Sequence, residues 1–226
     1  MYLVEKTINK LNSYGHTFFL KPNELDEVIH HLKKNSYEIY KPYPYSEKNI
    51  LYKNRFPEVV LFEIITPTEL RHQDIMGSLY SLKIEDNLFG DIVINNDHYY
   101  VYILENYRYY FESELNKISN VNIKLHEVPL DTLDNYIPKF EYLKIITSSL
   151  RLDSVIARTI KTNRDTVKDL IKDKKVINNY ELLKDPDKLI KENDTFSIRK
   201  IGKFKFNKII ANTKKDNLIL EILKYQ

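Results

Sequence analysis

The feature that most constrains the fold is a pair of short amphipathic segments in the last third of the chain, at 149–160 and 163–172. In both, apolar residues recur at the three- and four-residue spacing of a helix with one buried face. Ser149 and Asn163 stand at the predicted helix starts, where their side chains can accept a hydrogen bond from the first turn. Strand-like stretches follow from Val176 onward. The pattern therefore predicts two short helices followed by a small β unit.

This C-terminal region is basic, although the chain as a whole is close to neutral. Residues 151–215 contain 18 Lys and Arg against 9 Asp and Glu, whereas residues 1–150 contain 16 against 21. The overall net charge of +3 therefore conceals a basic module on an acidic body. Positive charge that is concentrated on one compact unit is typical of proteins that bind a nucleic-acid backbone.

Charged residues of both signs run along the second predicted helix at a spacing of four. The basic row is Arg164, Lys168 and Lys172, and the acidic row is Asp165, Asp169 and Asp173. Residues four apart lie on the same face of a helix, so each row is continuous. Two interpretations stay open: the basic row faces a phosphate backbone, or both rows form a solvated surface of ion pairs.

Several short motifs of this region together resemble the S4 RNA-binding domain family. They are Arg151-Leu152-Asp153, Asn163-Arg164 at the start of the second helix, and Val176-x-Asn178. The resemblance implies that Arg151 and Arg164 help to build the RNA-facing surface. It also implies that Asp153 is the carboxylate that orients them.

The sequence departs from the S4 pattern at three positions. Asn163 stands in place of the usual Ser before the second-helix Arg, and it can still cap the helix. Lys174 and Asn193 stand in place of two glycines. Asn tolerates a positive φ better than most residues do, whereas Lys174 is less suited to such a turn but adds positive charge where RNA would lie.

From these motifs and the local charge we expect RNA to contact the two helices and part of the β unit. The predicted RNA-binding residues are Arg151, Asp153, Arg158, Lys161, Asn163, Arg164, Lys168, Lys172, Lys174, Lys175, Arg199 and Lys203, with Lys205 extending the basic surface. Recognition would be mainly of shape and backbone, because structured RNA hides its base edges in a deep groove. Binding should weaken with salt.

The middle of the chain carries a second and narrower resemblance, to the bacterial YlmH-type proteins. The stretches that carry it are Arg71-His72-Gln73-Asp74-Ile75-Met76-Gly77-Ser78-Leu79 and Leu88-Phe89-Gly90-Asp91-Ile92. The resemblance implies two domains ahead of an S4 domain, and association with the large ribosomal subunit carrying stalled peptidyl-tRNA in ribosome-associated quality control. It also implies a link to cell division. The chain has Glu85-Asp86-Asn87 where that family is basic.

The elements predicted along the chain indicate an α+β protein of three domains. A small N-terminal α+β domain spans residues 1–66, and a central α/β sandwich-like domain spans 67–142. The S4 domain with additional C-terminal strands spans 143–226. By charge alone, the two acidic domains are expected to contact tRNA poorly and to position the S4 unit or touch ribosomal protein.

The composition excludes several other classes of site and location. The chain has no cysteine, which excludes disulfides and thiolate chemistry, and its four glycines are too scattered for a phosphate-binding glycine loop. We expect no cofactor and no metal, and we expect the adjacent His30 and His31 to lie on a solvated helix edge. No long apolar run or signal-peptide pattern occurs, so we expect a cytoplasmic protein without membrane insertion.

We also expect a protein without catalytic activity. His72 and Asp74 are two residues apart on one predicted helix and so do not face each other. An Arg-Leu-Asp tripeptide surrounds the catalytic Asp of pseudouridine synthases, but there it leads into a turn, whereas Asp153 here leads into a helix. Two alternatives remain: an RNA-modification factor with a degenerate catalytic half, and a cell-division-linked adaptor that binds a division-site protein.

Overall fold

The computed structural model describes residues 2–226, apart from the side chain of Tyr2, and it divides into two compact units after Ile137. Helices and antiparallel strands are mixed in both units, which confirms the predicted α+β class. In the described part of the chain, no helix is both long and apolar enough to cross a bilayer.

The first unit contains a four-stranded antiparallel sheet with helices around it. Its elements are α1 (Tyr2–Tyr14), α2 (Pro22–His30), β1 (Glu38–Tyr40), β2 (Ile50–Tyr52), β3 (Val59–Ile65), α3 (His72–Ser81), β4 (Phe89–Asn95), β5 (His98–Leu104), α4 (Arg108–Glu114), β6 (Lys117–Ile118), β7 (Val121–Asn122) and β8 (Lys124–Val128). The sheet has the order β4-β5-β3-β8, while β1 pairs with β2 and β6 with β7.

Strand β3 is buried on both of its faces, which explains its nearly continuous run of apolar residues. Alternate residues of a strand point to opposite faces of the sheet. Accordingly, Val60 and Phe62 lie in a core with Ile75 of α3 and Phe111 of α4. Leu61 lies in a second core on the other face, together with aromatic residues from several segments.

The element limits differ from the predicted ones where local signals compete. The apolar spacing after Pro22 predicts a helix from Asn23 to Lys34, but α2 ends at His30. The sequence also predicts a helix from Asn106 to Lys117, where the structure has a 3₁₀ turn followed by α4 at Arg108–Glu114. The three predicted domains remain a prediction. The structure adds that β3, in the predicted N-terminal domain, pairs with β5 and β8 of the predicted central domain.

The second unit is a six-stranded antiparallel sheet with two helices on one face. Its elements are β9 (Phe140–Thr147), α5 (Leu152–Thr159), α6 (Arg164–Lys172), β10 (Val176–Asn178), β11 (Glu181–Leu182), β12 (Thr195–Ile198), β13 (Gly202–Asn212) and β14 (Leu218–Tyr225), in the sheet order β11-β10-β12-β13-β14-β9. Leu152, Val155 and Ile156 of α5 pack with Phe204 and Phe206 of β13 in one core. The predicted arrangement of two helices followed by a β unit is confirmed.

Candidate nucleic-acid interface

A buried carboxylate joins the two helices of the second unit. The side chain of Asp153 has no exposed surface, and it accepts hydrogen bonds from two arginines. The Arg164 guanidinium donates to its Oδ2 at 2.8 Å and 3.2 Å, and Arg151 donates to both oxygens at 3.1 Å and 3.3 Å. The structure thus brings together the three residues that the S4 resemblance singled out.

The two arginines favour the ionised form of this carboxylate. Burial alone would raise the pKa of Asp153, but the hydrogen bonds from Arg151 and Arg164 outweigh it and hold the pKa below its ordinary value. The side chains of Arg151 and Arg164 remain 32% and 47% exposed, respectively. The cluster therefore presents two cations to solvent in fixed orientations, and charged groups held in this way suit phosphate recognition.

A loop that the sequence analysis did not single out closes this cluster. The backbone N–H groups of Leu152 and Asp153 donate to the carbonyls of Lys188 and Pro186, so the loop satisfies donors that helix α5 leaves unpaired at its start. Asp187 of the same loop forms an ion pair with Arg151. No motif points to Asp187, because the loop lies some thirty residues away in the chain and is adjacent only after folding.

The two predicted helix caps have different outcomes. Asn163 caps α6 as predicted, since its side-chain oxygen accepts a hydrogen bond from the N–H of Thr166 at 2.8 Å. The cap predicted for Ser149 was wrong, because α5 starts at Leu152 and Arg151 occupies the capping position without a side-chain bond. The hydroxyl of Ser149 instead accepts the N–H of Arg151 at 3.1 Å.

The basic row of α6 is divided between two environments. Arg164 turns back to Asp153, whereas Lys168 pairs with Asp165 at 3.4 Å on the exposed surface. The interpretation as a solvated surface of ion pairs thus fits Lys168. Four other predicted cations in and beside the two helices are exposed. Among the ion pairs of the described residues, 2–226, none involves these four side chains, which are Arg158, Lys161, Lys172 and Lys174.

Lys174 ends α6 in a conformation that usually requires glycine. Its φ is +56°, its N–H donates to the carbonyl of Ile171, and the N–H of Lys175 donates to that of Leu170. These two bonds form a Schellman motif, in which the left-handed residue is most often Gly. Asn193, which stands in place of the other glycine of the S4 pattern, also has a positive φ of +73°.

Replacing Lys174 with Gly is expected to stabilise the protein by up to about 1 kcal/mol, because Gly adopts the left-handed conformation without steric cost. The same change removes one cation, so RNA affinity should fall while the melting temperature rises. Thermal unfolding and RNA titration of Lys174→Gly, with Lys174→Arg as the charge-preserving control, measure both effects. A Lys174→Gly variant with unchanged RNA affinity would remove Lys174 from the proposed surface.

The predicted residues of the β unit lie in two different places. Arg199 is adjacent to the end of α6, since its N–H donates to the carbonyl of Lys175. Lys203 lies on the opposite face of the sheet from α5 and α6, because its neighbour Phe204 points into the core beneath them. The ammonium of Lys203 is 5.2 Å and 4.8 Å from the ring centroids of Tyr180 and Tyr225. Lys203 is therefore not part of the arginine cluster.

The Gly90-Asp91 pair of the middle signature has a structural role. A Cβ atom on Gly90 would lie 3.0 Å from atoms of both Phe19 and Tyr102, so the position is closed to larger residues. Asp91 accepts the backbone N–H groups of Glu47 and Lys48, and burial raises its pKa. The signature therefore holds the loop before β2 against the sheet.

Neither unit offers an evident metal site. Within residues 2–226, no group of three or more His, Asp or Glu side chains is arranged so that it could hold a metal ion.

Arg71 and Asp74, at the start of α3, form an exposed ion pair at 2.8 Å.

Comparison with known proteins adds independent findings. Residues 53–132, which begin shortly before β3 and end in the segment after β8, match the model of the family described as "Putative RNA-binding domain in YlmH". Over 145 residues the chain is 28% identical to the ribosome-associated protein quality control protein P2 of Bacillus subtilis (strain 168). That match covers 64% of this chain and 56% of the relative, so the chain spans little more than half of the relative's length.

Among solved structures, the chain resembles the cell division protein ylmH from Streptococcus pneumoniae. The sequence identity is 23% and the TM-score is 0.47. The similarity covers 58% of this chain and 90% of that one.

Proposed function

We propose that this chain, a YlmH-type protein by the match of its residues 53–132 and by its similarity to protein P2, binds structured RNA and associates with the ribosome. The family description supports RNA binding by the central segment. The name of the relative supports a role in ribosome-associated quality control. The second unit would supply the principal electrostatic contact with the RNA backbone.

The observation that carries this proposal is the Arg151–Asp153–Arg164 cluster. A carboxylate without exposed surface holds two partly exposed guanidinium groups, and both come from helix starts that lie beside further cations. Both arginines pair with Asp153, and Arg151 also pairs with Asp187, yet their side chains stay partly exposed. Two guanidinium groups held in fixed orientations are suited to bidentate phosphate contacts, and we propose that their exposed parts serve this recognition.

More specifically, we propose that the RNA belongs to the large ribosomal subunit and that peptidyl-tRNA on a stalled subunit lies within reach. The resemblance to YlmH-type proteins implies this assignment, and the name of protein P2 supports the association with the ribosome. Neither the relative's name nor the family description specifies catalysis, and we propose that the chain acts by binding alone.

The central segment would bind RNA by a different principle. Residues 53–132 contain 7 Lys and Arg against 13 Asp and Glu, so long-range attraction to phosphate is weak there. The expectation that the acidic part contacts tRNA poorly is at odds with the RNA-binding description of the family. We propose that its contacts are local, made by aromatic and amide groups, and that they form after the basic unit has docked.

Titration of the whole chain with a structured ribosomal RNA fragment at increasing salt tests this proposal. About six phosphate contacts would give a slope near −5 in a plot of log affinity against log salt concentration, and about a thousandfold loss between 50 and 200 mM. A slope near zero, or no binding at low salt, would contradict it. Binding that persists while ribosome association is absent would favour an adaptor that uses protein surfaces.

A further inference from the structure

The first unit contains a cavity to which no function has been assigned. It has a volume of about 660 Å³ and lies between one face of α1 and the connection that follows β5. Gly15, at the end of α1, allows this arrangement, because its φ is +81° and a Cβ there would lie 2.8 Å from the Cβ of Arg55. Cavities of this size hold small ligands of up to several hundred Å³.

Three cations line the cavity, and two of them are neutralised. Lys6 pairs with Glu85 at 3.1 Å, and Arg55 pairs with Glu58 at 2.7 Å. Among the ion pairs formed within the described residues, 2–226, none involves Lys10. Its ammonium is instead 3.8 Å from the ring centroid of Phe18 and 4.8 Å from that of Tyr14.

The environment of Lys10 leaves its charge incompletely compensated. Burial, and secondarily the charge of Lys6, lower the pKa of Lys10. Aromatic faces attract a cation, but more weakly than a carboxylate in direct contact does. An anion in the cavity would complete the compensation without displacing an existing partner.

The other lining groups favour a nucleotide over a simple anion. Tyr14 lines the cavity and is 62% exposed, which leaves a face of its ring available for stacking. Asn9 and Asn106 also line the cavity, and amide groups can pair with the edges of bases. Lysine for phosphate, tyrosine for stacking and amides for base edges form the combination that sites for unpaired RNA use.

We propose that this cavity binds an unpaired nucleotide of single-stranded RNA. The inference rests on the proposed function, since it assigns a contact to the first unit of an RNA-binding protein. Five lining residues lie inside the segment that matches the RNA-binding family, which is consistent with an RNA ligand; they are Arg55, Glu58, Leu104, Asn106 and Tyr107. The phosphate would lie at Lys10 and the base on Tyr14.

Photocrosslinking of a tetranucleotide RNA that carries 5-bromouridine, with mass-spectrometric mapping on the full chain, tests this proposal. At physiological salt we expect crosslinks at Tyr14 or Tyr107. Lys10→Gln and Tyr14→Ala should each weaken oligonucleotide binding about tenfold. The exposed Lys33, which does not line the cavity, provides the matched control Lys33→Gln, which should bind normally. Crosslinks confined to other residues, or equal binding by all variants, would overturn the proposal.

Two further measurements distinguish failure of the cavity proposal from failure of the proposed RNA-binding function. Lys33→Gln should bind the structured RNA fragment as wild type does, whereas Arg151→Gln/Asp153→Asn/Arg164→Gln should lose that RNA and keep the Tyr14 crosslink. If structured RNA binds and the cavity is not labelled, only the cavity proposal fails; if neither RNA binds, both fail. An acidic peptide and a second oligonucleotide are each used as competitors of the tetranucleotide. If the peptide competes as strongly as the oligonucleotide, the site binds anions without selectivity and the proposal is overturned.

Discussion

Reversing the charge of Arg151 and Arg164 together is expected to weaken binding of structured RNA by roughly 100-fold or more. The change removes two oriented cations and introduces two anions beside the phosphate backbone, so both the local contacts and the long-range attraction are lost. Titration of Arg151→Glu/Arg164→Glu with the ribosomal RNA fragment measures the effect. The dependence of affinity on salt should also become weaker.

Two controls separate a lost contact from a lost fold. Lys33→Glu/Lys34→Glu changes the net charge by the same amount on exposed residues of the first unit, and it should bind RNA nearly as wild type does. The neutral variant Arg151→Gln/Asp153→Asn/Arg164→Gln removes the buried charge together with its partners, so it should fold and still bind RNA poorly. Wild-type affinity in that variant, with its fold intact, would refute the assignment of the arginines.

Replacing Asp153 with Asn is expected to lower the free energy of unfolding by about 2 kcal/mol at neutral pH, which corresponds to roughly 4–8 °C in melting temperature. The variant loses charge-assisted hydrogen bonds to two arginines and leaves two like charges close together. The figure is modest for a buried charge because both partners are partly solvated. Thermal and denaturant unfolding measure it, with Asp165→Asn on the exposed face of α6 as the control.

The effect of Asp153→Asn should depend on pH in a defined direction. The folded-state pKa of Asp153 lies below its ordinary value, so the ionised form stabilises the fold above the unfolded-state pKa of about 3.9. This contribution decreases as the pH falls through the folded-state pKa. The difference between wild type and variant should therefore be full at pH 7 and shrink below about pH 4. A difference that is constant from pH 7 to pH 3 would mean that the carboxylate charge does not stabilise the fold.

Apolar spacing was sufficient to predict the helices of the second unit, and the S4 resemblance singled out the residues of its central cluster. Apolar spacing located α5 and α6, and the motif residues Arg151, Asp153 and Arg164 meet in the structure. The predicted Ser149 cap was wrong, because other hydrogen-bond acceptors compete with a side-chain cap for the first N–H groups of α5, and the sequence does not show them. The carbonyls of a distant loop satisfy the first N–H groups of α5, so the helix needs no side-chain cap.

Most of the structural features that could not be predicted from the sequence depend on contacts between segments far apart in the chain. The placement of β3 in the four-stranded sheet depends on β5 and β8, which lie about forty and sixty residues further along the chain. Lys203 is predicted to extend the basic surface along the β unit, and the alternation of β13 places it on the face of the sheet away from α5 and α6, which the charge pattern alone does not reveal. The cation at Lys10 gave no motif, because its aromatic partners and the cavity wall come from separate segments.

Sedimentation of the protein with ribosomal subunits through a sucrose gradient, at low and moderate salt, tests the central claim most directly. The account predicts that wild type and the Lys33→Glu/Lys34→Glu control travel with the large subunit, and that Arg151→Glu/Arg164→Glu stays at the top of the gradient. If the arginine variant travels with the subunit as wild type does, or if the wild type does not bind ribosomal subunits, the claim that the second unit anchors this protein to the ribosome is contradicted.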